Sequence, residues 1–290
     1  MNAPLKKIAV IITVYNRREK TLECLRHLFA QDNCGLQITV YLTDDGSTDG
    51  TGDEVRRLFP QVVVSRGNGS LFWTGGMNLS WELAMKSDDY DGYLWLNDDT
   101  VPIDGIWHRF IEAHNYCIAT YGKGGIYVGS TLDKQGEKHT YGGSRSVSRW
   151  KGKFQMVKPN GEFQKCDIAH GNITLISKDV ADKLGCLYKG YAHGYGDYDY
   201  SLAATRKGFP VLILKDYVGY CDNDHKHLRD ILISKKSLKE RIKYLYAPTG
   251  MDLSSRLLYQ WRFYPHYYLL TLTAYWVRAI FPQIIGKDTI

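Results

Sequence analysis

The stretch Tyr93-Leu94-Trp95-Leu96-Asn97-Asp98-Asp99-Thr100 restricts the fold more than any other in the chain. Four apolar or aromatic residues in a row read as a short strand buried on both faces. The run stops in Asn97, Asp98 and Asp99, with Pro102 close behind. In an open α/β sheet, ligands sit just outside the carboxyl ends of the strands. Adjacent carboxylates at such a place repel unless a cation lies between them. Hard oxygen ligands on a short loop suit Mg2+ or Mn2+, and those ions suit a diphosphate. The competing reading is a polar turn in which Asp98 caps a helix starting near Ile103.

The residues before this stretch alternate strand and helix. Lys7 to Thr13 is a β-branched run that reads as a central parallel strand. A polar loop, Val14 to Arg18, follows, and Leu22, Leu25, Leu28 and Phe29 then recur at helical spacing. Ile38 to Thr43 is a second strand that ends in the turn-rich run Asp44 to Thr51. A helix over Asp53 to Leu58 and a strand over Val62 to Ser65 come next. This order implies right-handed βαβ crossovers and a mainly parallel sheet.

Gly67 to Gly76 is a glycine-rich loop opening a helix that carries Met77, Trp81 and Ala84. It fits neither the dinucleotide fingerprint nor a Walker loop. Glycines before a helix N-terminus make an anion site through free N–H groups; the alternative is a plain connection anchored by Trp73. Ile103 to Ala119 reads as helix, and Tyr121 to Lys165 as strands and loops inserted over the sheet edge. Ile168 to Ser177 reads as one strand, Lys178 to Leu184 as a helix, and Val211 to Tyr220 as another strand. Between them, Gly190 to Tyr200 packs glycines and aromatics around Asp197 and Asp199. Those acids suit a helix N-terminus, Asp197 as cap, although a cap does not require such surroundings.

Size allows one large core, or one domain with an appendage. Hydrophobic content of 44% and charged content of 23% describe an ordinary folded protein. The 22 tyrosines are the excess, suited to stacking on sugars or bases and to membrane interfaces. A net charge of +6 fits acidic ligands or an anionic membrane and falls short of a nucleic-acid binder. The six cysteines form no C-x-x-C pair, which argues against structural zinc and for a reducing compartment. Met1 to Lys7 lacks the apolar core of a signal peptide, and no apolar window is long enough to span a bilayer. The tail from Ser234 is first basic, then aromatic and apolar. Such a mixture suits a segment lying in a membrane interface, or a helical pair packed on the rest of the chain or on a second protomer.

Four motifs fall in a fixed order: Thr13-Val14-Tyr15-Asn16, Asp44-Asp45-Gly46-Ser47-Thr48-Asp49, Leu96-Asn97-Asp98-Asp99-Thr100 and Gly196-Asp197-Tyr198-Asp199. From Lys6 to His227 the chain resembles the family 2 glycosyltransferases, nucleotide-sugar-dependent enzymes of the α/β GT-A fold. The resemblance implies a mainly parallel central sheet with helices on both faces. A catalytic domain is then expected at 1–233, with its nucleotide-binding half at 1–101 and acceptor half at 102–233, and the tail composition adds a helical, membrane-interfacial extension at 234–290. The resemblance also implies that Thr13, Tyr15, Asn16 and the Asp44-Asp45 pair hold the nucleoside, with Gly76 and Asn78 running close to the donor. Asn97 to Asp99 take the place of an Asp-x-Asp metal motif. Asp99 is then the Mn2+ or Mg2+ ligand, Asn97 and Asp98 lie beside the nucleotide, and His225, or else His227, completes the metal shell. Asn97 replaces the usual first acid, as in subgroups resembling rhamnosyl- and galactofuranosyltransferases.

Asp197 matches the acid of a Glu-Asp-type motif, with Gly196 in place of Glu, and its implied role is general base. Trp73, Tyr195 and Tyr198 are candidates for an acceptor platform. The expected reaction is inverting transfer from a UDP- or dTDP-sugar (rhamnose, galactofuranose or galactose) to a growing bacterial surface glycan such as capsule or O-antigen. Its acceptor would be carried on a polyprenyl diphosphate, and the protein would sit peripherally on the inner face of the cell membrane. The rivals are a non-catalytic carbohydrate-binding or assembly subunit and a sugar-nucleotide nucleotidyltransferase. The latter usually carries a glycine-rich basic loop after its first strand, whereas Val14 to Arg18 has no glycine.

Overall fold

A computed structural model describes residues 4–148, 150, 152–223 and 236–282. The centre of the sheet is β4 (Gly92–Leu96), buried along its whole length. It lies between β1 (Lys7–Val14), parallel to it, and β12 (Ile173–Ser177), antiparallel to it. Outward from β1 run β2 (Gln37–Asp44) and β3 (Val63–Arg66), both parallel. Outward from β12 run β6 (Ile126–Leu132), β13 (Val211–Tyr220) and β10 (Gln164–Lys165). The short strands β5 (Val101–Pro102) and β7 (His139–Tyr141) pair with β13 and β6. A second, three-stranded sheet joins β8 (Gly143–Ser148), β9 (Lys153–Met156) and β11 (Ile168–Ala169).

The period-2 geometry of a strand sends alternate side chains to opposite faces. Ile8, Val10, Ile12, Leu94 and Leu96 enter one core, together with α1 (Arg18–Phe29), α2 (Thr51–Leu58) and α4 (Ile106–Tyr121). Ala9, Ile11, Tyr93 and Trp95 enter the other, against α3 (Phe72–Ser87), α5 (Lys178–Leu184) and α6 (Gly196–Arg206). Both faces are therefore covered, which is why the central strands read as unbroken apolar runs. Behind the end of β4, Trp81, Trp95 and Tyr200 form a ring cluster with centroids 5.2 to 5.6 Å apart.

Three sequence expectations need correcting. The helix after β4 starts at Ile106 behind Gly105, because β5 intervenes, and Asp98 does not cap it. The segment Tyr121 to Lys165 is only partly an insertion, since β6 lies inside the main sheet, between β12 and β13. Ile168 to Ser177 is two strands in different sheets, parted at His170-Gly171-Asn172.

The tail forms α7 (Leu238–Tyr246), α8 (Leu253–Phe263), a 3-10 turn at Pro265–Tyr267 and α9 (Tyr268–Ile280). A capping box between Ser237 and Glu240 starts α7. Leu245, Leu253, Leu257 and Ala279 give the three helices a small core of their own. One side of α8 is seated on the rest of the chain, where Tyr259 and Phe263 pack among Tyr191, Tyr195 and Tyr198. Arg262 pairs with the buried Asp199 and lies over the Tyr188 ring, and Arg256 donates to the Tyr195 hydroxyl at 2.7 Å. No helix among the described residues is long and apolar enough to cross a membrane.

Removing Arg262 leaves the Asp199 carboxylate buried with only the Tyr191 hydroxyl as a side-chain partner. Arg262→Ala should destabilise the protein by about 3 kcal/mol. Limited proteolysis should cut the α8 region faster than in the parent chain, and an unchanged melting temperature and cleavage pattern would refute this docking.

Candidate active site

The ends of β1, β2 and β4 and the break before β12 meet at one edge of the sheet. The Asn97 N–H donates to the Asn172 carbonyl at 2.9 Å, extending the β4–β12 ladder one step beyond the strands. One residue earlier, the Gly171 N–H donates to the Asp197 carboxylate at 3.0 Å, and the Tyr198 N–H donates to its other oxygen at 2.9 Å. Asp197 and the Asn97-Asp98-Asp99 turn are thus two consecutive backbone links apart.

Trp73 closes the same circuit from a helix. Its indole N–H donates to the Asn97 side-chain oxygen at 2.8 Å. The six-membered part of the indole fills a slot between Gly171 and Gly196. A Cβ on Gly171 would run into the ring, and one on Gly196 would come within 3.5 Å of it and 2.9 Å of Thr74 Oγ1. Gly171 is thus required by the ring, while a side chain at position 196 would crowd the Thr74 hydroxyl. Trp73 accordingly positions Asn97 and backs the Asp197 loop, and its indole is not an open platform.

Asp98 is buried and Asp99 partly so. One Arg17 nitrogen, Nη1, bridges them, 3.2 Å from Asp98 Oδ1 and 2.7 Å from Asp99 Oδ2. Burial pushes the Asp98 carboxyl up to about 7 and the Asp99 charge adds to the rise, while Arg17 opposes both. Asp99 Oδ1 faces the Cys221 thiol at 3.6 Å. Cys221 in turn accepts from the Asn172 amide at 3.4 Å. The cation that two neighbouring carboxylates require is therefore supplied by the chain itself. Among the described residues no three His, Cys, Asp or Glu side chains gather as a metal cage, and His225 and His227 lie outside those residues.

The nucleoside candidates divide into open and committed groups. Tyr15 is exposed at the end of β1 and Thr13 lies half-buried beneath it. Asp44 accepts the Ser47 N–H at 2.8 Å with one oxygen, while the other lies against Gly52. Asp45 is fully engaged within the chain. Its carboxylate accepts the N–H groups of Gly69, Leu71 and Phe72 at 2.8 to 3.1 Å and so fixes the glycine-rich loop. Asn16 clasps the loop after β2: its side-chain oxygen accepts from the Thr48 N–H at 2.7 Å, and its backbone N–H donates to Ser47 Oγ at 2.9 Å.

Gly76 serves packing: its Cα lies directly on Thr13, leaving no room for a ligand between them. Asn78 is buried on α3 and donates to the Leu187 carbonyl at 3.0 Å, so it does not face the cleft. Tyr195 is stacked on Tyr259 at 5.1 Å and bound to Arg256, which commits it to the tail. Tyr198 stays beside Asp197, its hydroxyl 2.7 Å from His170 Nε2. Because the Gly142 N–H donates to His170 Nδ1 at 3.1 Å, Nε2 carries the proton and the tyrosine oxygen accepts it.

The fold is shared with known proteins. The family model for glycosyl transferase family 2 matches residues 9–185, more than half of the chain. The chain belongs to glycosyl transferase family 2. Its mainly parallel sheet, covered by helices, is the GT-A architecture of such transferases. Among solved structures, this family 2 glycosyltransferase is similar to a mannosyltransferase from Pyrobaculum calidifontis in complex with GDP-Man and Mn2+. The identity is 15% and the TM-score 0.53, over 96% of this chain and 77% of that one. It is also similar to GalNAc-T7 with UDP, GalNAc and Mn2+, at 14% identity and TM-score 0.58, over 97% of this chain and 59% of that one. No curated protein matches the sequence.

Sequence reasoning missed Arg17, His170, Gly171 and Asn172. Arg17 follows directly on the first motif and is the nearest cation to it in sequence, a signal that was present. The other three were hidden inside one apolar-looking strand.

Trp73→Phe removes the donor to Asn97 and withdraws part of the ring from the slot between Gly171 and Gly196. Leaving that half-enclosed amide oxygen unpaired should cost about 1–2 kcal/mol. Thermal unfolding at matched pH checks this, and a change within error would show that Trp73 does not hold Asn97.

Proposed function

We propose that this family 2 glycosyltransferase moves a sugar from a nucleoside-diphosphate donor to a hydroxyl of a growing glycan, with inversion at the anomeric carbon. UDP- or dTDP-linked rhamnose, galactofuranose or galactose is the donor class, and a lipid-linked bacterial surface glycan is the acceptor class. The observation that carries the reading is the linkage of Asp197 to Asn97-Asp98-Asp99 through Gly171, Asn172 and Trp73. It supplies a half-buried carboxylate on the same edge as an acidic turn suited to a diphosphate site.

Tyr15 offers an exposed ring for stacking on the base, and Asp44 fixes the Ser47 turn that borders the nucleoside. Asp99 is the hard oxygen that would hold a divalent ion together with oxygens of the donor. Mn2+ or Mg2+ held there would take up the negative charge that grows on the leaving diphosphate. Arg17 must turn from Asp99 for this, and it keeps Asp98 as its partner. As the acceptor oxygen bonds to the anomeric carbon, its proton passes to Asp197. The carbon–oxygen bond to the diphosphate breaks with its electrons on the diphosphate. One such displacement inverts configuration, and a single carboxylate base suffices. Tyr198, held by His170, borders the acceptor side of Asp197.

Burial raises the Asp197 carboxyl to about 6, close to the working range of a general base. Only the ionised form accepts a proton, so kcat/KM should rise with pH through about 6 and then level off. The stability contribution of this group is present below its unfolded value and lost as pH rises through about 6. Asp197→Asn removes that charge but turns an amide NH2 toward one of the two N–H donors, and the two effects oppose, so the melting temperature at pH 7.5 should change little. The substitution should reduce donor turnover by about a thousandfold while the nucleotide-induced rise in melting temperature persists. A carbohydrate-binding subunit that merely retained the fold would show no turnover before or after the change.

A further inference from the structure

The tail turns one face inward and another outward. On the outward face Trp261 is 67% exposed, Leu269 71% and Leu270 63%. Val277, Ile280 and Phe281 continue the exposed apolar row to the far end of α9. Large apolar side chains in such a row are unusual on a free protein surface. They have a neighbour from a distant part of the chain. Trp150, 70% exposed at the tip of the β8–β9 hairpin, stacks on His266 with ring centroids 4.3 Å apart. Its carbonyl oxygen accepts from His266 Nε2 at 2.6 Å. The hairpin is fixed to the tail a second time by Phe154 and Tyr264, 6.4 Å apart. Trp261 sits edge-on to Tyr268 at 6.0 Å, so the hairpin tip, the α8–α9 corner and the outer side of α9 adjoin one another.

The charge around this row is mostly positive, with Glu240 an exposed acid on α7. The arginines of α8 point inward, Arg256 to Tyr195 and Arg262 to Asp199. On α7, Lys239 and Lys243 are exposed. Arg241 reaches the Ile280 carbonyl at 3.4 Å, which sets this basic helix beside the Ile280–Phe281 end of the row. The acids between 236 and 282 are Glu240, engaged by Ser237, and the buried Asp252.

We infer that the β8–β9 hairpin tip and the outer face of α8–α9 form one composite surface that docks the protein on an anionic lipid bilayer. Trp150, Trp261, Leu269 and Leu270 insert at the headgroup level, and the α7 cations engage the headgroups. Aromatic rings with polar edges and aliphatic side chains beside them suit that depth. The lysines gain from anionic headgroups at the membrane surface. A second copy of this chain is the poorer occupant, since self-association of this face sets cations against cations. The inference stands apart from the transfer chemistry and goes beyond it by adding a hairpin that the tail composition does not reveal.

The test is co-sedimentation of the full chain with phosphatidylcholine vesicles, with and without phosphatidylglycerol. The parent protein should bind the anionic vesicles and release at high salt. Trp150→Ser/Trp261→Ser/Leu270→Ser should bind about tenfold more weakly, as should Lys239→Glu/Lys243→Glu, at unchanged melting temperature. Trp150→Ser alone should weaken binding measurably, because the hairpin is part of the surface. Turnover of a soluble donor should be equal in all of them, which separates this surface from the active edge. Absence of binding to anionic vesicles, or equal binding by the triple variant, would overturn the inference. So would a parent dimer in light scattering that the triple variant converts to monomer.

Discussion

The antiparallel pairing of β12 on β4 is the constraint on which the site depends. A parallel strand in that position would begin at the far edge of the sheet and send His170, Gly171 and Asn172 away from Asn97. Running antiparallel, β12 starts where β4 ends, and the Asn97–Asn172 hydrogen bond carries the ladder into the loops. Gly171 then reaches the first turn of α6, and Asp197 arrives beside an acidic turn that lies 98 residues earlier in sequence. Trp73 locks the arrangement because its indole fits only where Gly171 and Gly196 leave room.

The acidic turn shows how one physical requirement can have two solutions. Two neighbouring carboxylates at a strand end need a cation, and the sequence alone suggested a metal. In the structure Arg17 already bridges Asp98 and Asp99. The two solutions are compatible, because Asp98 is buried and retains a need for Arg17 while Asp99 is the more accessible of the pair. On the function proposed above, a donor arriving with its divalent ion would replace one counter-charge with another at Asp99 and leave the pairing at Asp98 in place. The glycine-rich loop has a similar double logic. Asp45, which resembles a ribose ligand by position in the motif, holds that loop through three N–H groups and so shapes the cleft without entering it.

The central sheet was legible because both of its faces are covered, which leaves β1, β2 and β4 as unbroken apolar runs ending in polar turns. The same apolar continuity hid the break at His170-Gly171-Asn172, where only three residues separate β11 from β12 and no proline or charge marks the change. β6 was misplaced because its glycine and hydroxyl residues, Gly129, Ser130 and Thr131, look like loop while lying fully inside the sheet. The roles of Gly76, Asn78 and Tyr195 were not readable from spacing. Each is set by a partner remote in sequence: Thr13, Leu187 and Tyr259 respectively. The tail's mixture of aromatic and basic residues fitted both packing and an interface, and the helices divide those uses between their two sides.

The central claim is that Asp99 and Asp197 border one cleft, with Arg17 and Trp73 defining its floor. A crystal structure with a nucleoside diphosphate and Mn2+ tests it most directly. The ion is expected on Asp99, with Arg17 turned away from Asp99 but still on Asp98, and the Asp197 carboxylate open to the side where the sugar carbon would stand. An ion bound elsewhere, or a nucleotide cut off from Asp197 by the Trp73 ring, would contradict it.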